Sequence, residues 1–453
     1  MKRTFLITTF LFVFIATNAQ RIKYESSYPV AKQKSATSGK PLFLHLHWAP
    51  IKMPLAPGLD MPEVVEFYNK NFINYLSLRP EPSVQTLMNE LNVNSFPTYL
   101  FFDKDENLLH RATRSSSNSS RYLLMGDSVM RMAVSDESLA SYKQKHKAGL
   151  LGHGGLKEYI VLRENLGYRD NADLIEDYVN TLSVKSLGDY DTVLFILSAG
   201  PYAYGKAFKI AHINQKIIDS IYKTEPLDRR IDINNRIIGN TYNKAVKLKD
   251  AKMAEAAAGF ARGTWSKNYR EAYNTYELKM LSFYKATNDT ARYLPRAMYF
   301  YDNYSRLPID SIKKYDEGKR REAIQQTSRI ANAQPMYESS SLQSAVVSES
   351  SIVMSPVQSI ASVLNNAAYE VYLTKTNNPR YLDKAIKWSE KSLELNPSPA
   401  TYDTLAHLLY RKGLFNQAEE AQQKAVMLSQ KNAPPGYNKS MQAELKKIKA
   451  RKL

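Results

Sequence analysis

The stretch from Lys40 to Arg111 most limits what this chain can fold into, because its pattern changes period again and again within a short span. Leu42-Phe43-Leu44-His45-Leu46-His47-Trp48 is almost continuous in apolar residues, as a central strand buried on both faces would be. Pro50, Pro54, Pro57 and Gly58 then form a stiff loop in which no helix should start. Asp60 is the predicted N-cap of a helix that opens at Met61-Pro62-Glu63 and continues through Val64 to Tyr68. Asn71 to Leu78 predicts a second strand, Ser83 to Leu91 a helix with Val84, Leu87, Met88 and Leu91 on one face, and Thr98 to Phe102 a third strand. Asp103 to Asn107 is a hairpin turn, and Leu108 to Arg111 returns as a fourth strand. Ahead of this block, Pro29 to Ser38 is expected to form a short helix that stops at Gly39.

Strand, helix, strand, helix, strand, turn, strand is the order of a thioredoxin core. The Lys40-Pro41 opening with its apolar strand, the helix and strand from Met61 to Ile73, Phe96-Pro97-Thr98 and the terminal hairpin Asp103 to Arg111 resemble the exported bacterial thioredoxin-like domains. That resemblance implies a cis Pro97 and a groove flanked by Trp48, Phe96, Pro97 and Thr98, along which an extended peptide could add as a strand. It also implies a Trp-Cys-x-x-Cys-Lys turn after the first of these strands. Here that place holds Trp48-Ala49-Pro50-Ile51-Lys52-Met53, and His45 stands where active members keep a buried carboxylate. The expectation is a thioredoxin scaffold without thioredoxin chemistry.

The chain has no cysteine in its 453 residues, which excludes thiol redox steps, zinc thiolates and iron–sulfur clusters on it. His45 and His47 share a strand face, and His110 is the third histidine of the block. An isolated His-x-His lacks the further ligands a zinc site requires, so no metal is expected. His153, in the loop-like Gly152-His153-Gly154-Gly155, stands apart from any nucleophile motif. No phosphate loop or dinucleotide fingerprint occurs, and no cofactor and no catalytic residue are expected.

Lys2-Arg3, the apolar run Phe5 to Ala16 and the small-residue exit Thr17-Asn18-Ala19 predict a signal peptide over residues 1–19, cleaved after Ala19. The protein is therefore expected in the periplasm or secreted. Losing Lys2 and Arg3 lowers the formal charge from +18 to +16. Such a balance suits weak contact with anionic envelope surfaces, while export argues against nucleic acid.

From Asp136 onward the periodicity is helical, punctuated by breakers such as Gly167, Gly200-Pro201, Pro226, Gly263, Asn288-Asp289 and Pro308, as antiparallel helix pairs require. Ala286 to Tyr293 reads as a turn between two helices, and Tyr269, Tyr273, Tyr276 and Tyr284 are candidates to line a concave binding face. Tyr337 to Gln358 is crowded with serine and reads as a linker. Tyr402, Leu405, Ala406, Leu409, Gly413, Ala418, Gln422 and Ala425 follow the tetratricopeptide (TPR) spacing, with small residues where two helices approach closely. A basic helix from Lys439 to Leu453 is expected to act as a solvating cap.

The sequence thus predicts an α/β plus all-α protein: a thioredoxin-like N-terminal domain followed by an α-helical, TPR-like repeat array. The expected segments are a signal peptide over 1–19, the α/β domain over 24–135 and helical repeats over 136–334. A linker over 335–358, TPR-like repeats over 359–432 and a basic helix over 433–453 complete the chain. The expected role is non-catalytic binding or scaffolding through protein or peptide partners of the cell envelope. The rival is a thiol-disulfide oxidoreductase-family member with a residual chaperone or redox-partner role.

Overall fold

The computed structural model describes residues 21–47, 57–78, 80–265, 268–332, 359–432 and 435–453. The signal-peptide segment, Trp48 with the turn after it, and the serine-rich linker lie outside the described residues. The described chain is mostly helical, with one small mixed sheet of four strands. It divides into two compact units, residues 1–225 and 226–453. That boundary, between Glu225 and Pro226, falls inside the segment 136–334 that the sequence reads as one region.

Unit 1 begins with α1 (Tyr28–Ser38). Ser27 caps it by accepting from the Val30 N–H, and Gly39 closes it in the left-handed region at φ 71°. The sheet holds β1 (Leu42–Leu46), β2 (Ile73–Ser77), β3 (Thr98–Phe102) and β4 (Leu108–Thr113) in the order β2-β1-β3-β4. β1 runs parallel to β2 and antiparallel to β3, and β3 pairs antiparallel with β4. β1 and β3 are buried at every position, which is why both read as unbroken apolar runs. The β3–β4 turn is tied by Asp103, whose carboxylate accepts from the Asp105 and Asn107 N–H groups at 2.9 and 2.8 Å.

Helices α2 (Pro62–Asn71), α3 (Pro82–Glu90) and α4 (Ser119–Ala133) accompany the sheet. Asp60 does not cap α2: the N-cap is Met61, which offers no side-chain acceptor, and proline in the first turn removes one of the N–H groups a cap would satisfy. Phe43, Val64, Val65, Tyr68, Tyr99, Phe101, Tyr122 and Val129 form one apolar cluster between the sheet and helices α2 and α4. Six further helices follow, α5 (Leu139–Lys147), α6 (His153–Asn165), α7 (Ala172–Val179), α8 (Tyr190–Ser198), α9 (Lys206–Ala211) and α10 (Gln215–Thr224). His153 is not in a loop; it opens α6 and stacks on Tyr178 at 4.9 Å.

Unit 2 comprises α11 (Leu227–Leu248), α12 (Ala251–Gly263), α13 (Tyr269–Ala286), α14 (Thr290–Ser305), α15 (Ile309–Asn332), α16 (Ile360–Leu373), α17 (Pro379–Leu395), α18 (Pro399–Arg411), α19 (Phe415–Asn432) and α20 (Pro435–Lys449). Within α11 to α14 and within α16 to α20, successive helices pack along one another across short connections, as antiparallel hairpins do. Ala245, Ala254, Ala297, Ala367, Ala385, Ala406 and Ala418 let their backbones approach within one core, where Trp388, Phe283, Phe300 and Leu364 fill the volume. Gly413 makes the tight turn between α18 and α19 at φ 85°, a conformation most residues avoid. The basic C-terminal helix is more than a solvating cap: Met441 and Ile448 are buried, and the helix packs on α19. No described helix is long and apolar enough to cross a membrane.

Candidate functional site

Two places merit attention: the end of β1 and β3 in unit 1, and the tyrosine-rich surface of α13 and α14 in unit 2.

His45 sits in the middle of β1, paired with Leu76 on one side and Tyr99 on the other. It is fully buried, and neither ring nitrogen has a hydrogen-bond partner among the described residues. Tyr99 lies 4.9 Å away ring to ring and Phe43 6.1 Å away. Desolvation in this aromatic surrounding, reinforced by His47, lowers the His45 pKa to about 3. The ring is therefore neutral near pH 7, with one nitrogen protonated and the other bare. His47, just past the strand, donates its backbone N–H to the Ser77 carbonyl, and its ring lies 5.9 Å from that of His45. His110 pairs with Phe101, in the row of Phe43, so the sheet does not bring the three histidines together. No group of three metal-ligating side chains suited to an ion occurs among the described residues.

Phe96 and Pro97 lead into β3 at the end of the sheet where β1 finishes, and the peptide bond between them is cis. Both are half-buried, whereas Thr98 is buried. The Thr98 hydroxyl donates to the Ser95 carbonyl at 2.7 Å, and its backbone is flanked by Leu46 and Thr113. The Pro97 carbonyl accepts from the Arg114 N–H at 3.2 Å. Phe96 and Pro97 are thus the part of the predicted groove that retains exposure; Trp48 lies outside the described residues.

In unit 2 the four tyrosines picked out as one face divide. Tyr269 is 87 % exposed and Tyr273, one turn on, 38 %. Tyr284 is core and Tyr276 packs against it, so neither lines an open face. Tyr299 of α14, 68 % exposed, lies close enough to Tyr273 to add to the upward shift of its phenol, after burial and Glu277, and extends the ridge. Tyr299 lies in the tyrosine-rich run 298–304, but a run of aromatics every residue or two cannot say which ring faces outward. Beneath the ridge, Arg296 donates from Nε and Nη2 to the two carboxylate oxygens of Glu277 at 2.6 and 3.0 Å and lies over Tyr276 with Arg262. The fork fixes α14 on α13, so the exposed rings stand on a rigid base.

Of the predicted repeat-packing residues the alanines are buried and the larger side chains only in part. Ala406, Ala418 and Ala425 are buried, Leu405 packs against the core, and Tyr402 is half-buried under the Lys424 ammonium at 5.8 Å.

No family model matches the chain, and no curated protein matches it. A solved structure described as DsbH Oxidoreductase shows a weak likeness, at 16 % identity and a TM-score of 0.21, over 29 % of this chain and 95 % of its own.

Proposed function

We propose that the protein is a non-catalytic binding or scaffold protein of the cell envelope, with a redox-inactive thioredoxin-like domain and TPR-like helices that take a protein or peptide partner. The observation that carries this reading is the ridge of Tyr269, Tyr273 and Tyr299 on α13 and α14. Large amphipathic rings left exposed on a braced helix pair, as Tyr269 and Tyr299 are, add little to the core, and tyrosine is enriched where interfaces are strongest. The strand order β2-β1-β3-β4 supports the thioredoxin-like reading of unit 1. Hairpins closed over buried alanines support the TPR-like reading from α16 to α19. Export rests on the N-terminal segment of the sequence.

The absence of cysteine bears on the chemistry, since the thiolate is the nucleophile of thiol-disulfide exchange. The purified protein is expected to reduce insulin no faster than dithiothreitol in buffer. Turnover above that background would favour the rival, an oxidoreductase-family member that retains a redox role.

A further inference from the structure

Helices α16 to α20 run back and forth, so the end of α16, the start of α17, the α18–α19 turn and the end of α20 come to one end of the stack. Side chains tie these pieces together. Lys412 of the α18–α19 turn pairs with Asp383 near the start of α17. Arg411 lies 4.9 Å from the ring of Tyr372, near the end of α16. Lys449 pairs with Glu419, near the start of α19, at 3.3 Å, and Arg451 lies over the Phe415 ring at 4.0 Å.

That end is strongly basic. Lys446, Lys447, Lys449, Arg451 and Lys452 follow one another at the end of α20, all exposed. The α18–α19 turn adds Arg411 and Lys412, and the α16–α17 connection with the first turn of α17 adds Lys375 and Arg380. Against these nine cations stand four carboxylates, Asp383, Glu419, Glu420 and Glu444, which leaves a surplus of five positive charges. Glu370, in the last turn of α16, is taken up by Lys285 of α13. At the other end of α17, Lys391 and Glu394 pair at 3.2 Å beside Glu390, and no such surplus forms. Offsetting the helix macrodipole accounts for about half a charge per helix end, whereas residues 446–452 carry five cations.

We infer that this end of unit 2 is a docking face for an anionic lipid surface, held through the headgroup phosphates.

The kind of cation favours a lipid surface over a protein partner. Six of the nine are lysines, and two of the three arginines, Arg411 and Arg451, are engaged on aromatic rings. Lysine is a mobile, strongly hydrated point charge, suited to the field of many headgroups and not to one fixed bidentate ligand. It is also depleted at protein–protein interfaces. Each basic group held near an anionic bilayer adds an attraction that fades within a Debye length. Leu373, 49 % exposed at the end of α16, adds an apolar contact of the kind a bilayer interface takes up. The inference does not depend on the tyrosine ridge of α13 and α14.

Sedimentation of the full chain with vesicles tests it. The wild type is expected to pellet with phosphatidylcholine vesicles that contain about a third phosphatidylglycerol, and not with phosphatidylcholine alone. Its affinity should fall at least about tenfold between about 0.05 and about 0.3 M sodium chloride. The variant Lys446→Gln, Arg451→Gln, Lys452→Gln should bind at least about tenfold more weakly. A second variant, Lys209→Gln, Lys216→Gln, Lys223→Gln, removes the same charge from exposed positions of α9 and α10 and should stay within about twofold of the wild type. Wild-type protein that does not distinguish the two kinds of vesicle, a comparison that needs no variant to fold, overturns the docking face. Equal losses in the two variants overturn it too, since diffuse net charge would then explain the binding.

Discussion

Replacing Trp388 with alanine is expected to destabilise unit 2 by about 3–5 kcal/mol, the range for deleting a large buried aromatic. The indole is fully buried on α17 and packs on Tyr301 of α14 at 5.5 Å. Its Nε1–H donates to Asp302 at 3.0 Å. Asp302 also pairs with Lys384 and, at 3.5 Å, with Arg306, so the alanine variant leaves the carboxylate with two cations and removes mainly packing. The cost comes from lost burial plus the cavity that the surrounding helices only partly close. Trp388→Phe keeps most of the volume and loses the donor, and should cost about 1–2 kcal/mol. Far-UV circular dichroism in a urea titration reads both, with the chain's two compact units allowed separate transitions. A loss under about 1 kcal/mol for the alanine variant would mean that the α14–α17 junction is not held by this ring.

The second large effect concerns His45 and acid. Its folded pKa is lowered to about 3, whereas an unfolded chain protonates histidine near the ordinary value of about 6.5. As pH falls through that window the unfolded chain takes up a proton that the folded unit refuses. Stability is therefore fully present above about pH 6.5 and is lost as pH falls toward and through pH 3, by roughly 5 kcal/mol in all. His110 and His212 are lowered by burial too, so the bare acid slope of unit 1 is shared. His45→Leu isolates the ring. It removes two buried nitrogens that lack partners and is expected to raise stability at pH 7 by about 1–3 kcal/mol while flattening the acid slope. An unchanged slope in the variant would show that His45 is solvated or partnered in the folded protein.

How much of this could be read in the sequence depended on how local each signal was. β3 is where Thr98 to Phe102 predicted it, and α1, α2 and α3 fall within a few residues of their predicted spans, because period and proline placement are local. The strand order required the whole sheet, since nothing near His45 in the chain says that its neighbours are Leu76 and Tyr99. At the N-terminus of α2, Asp60 has the residue type of a cap, but the backbone enters the helix one residue later, at Met61. His153 looked like a loop residue because glycine surrounds it, yet those glycines are accommodated in the first turn of α6. At α13 the tyrosine spacing could not separate Tyr269 and Tyr273 from Tyr276 and Tyr284, since only the position of α14 decides which rings are covered.

The measurement that bears most directly on the proposed role is partner capture from envelope extract by the wild type and by a Tyr269→Ser, Tyr273→Ser, Tyr299→Ser variant matched for thermal stability. Tyr269 and Tyr299 are mostly exposed, while Tyr273 also meets the buried Phe300 ring at 6.3 Å, so the triple substitution should cost about 1–2 kcal/mol, most of it at Tyr273. The account predicts a discrete polypeptide retained by the wild type and lost, by at least tenfold, from the folded variant. Equal retention by both proteins would contradict it and place the working surface away from α13 and α14.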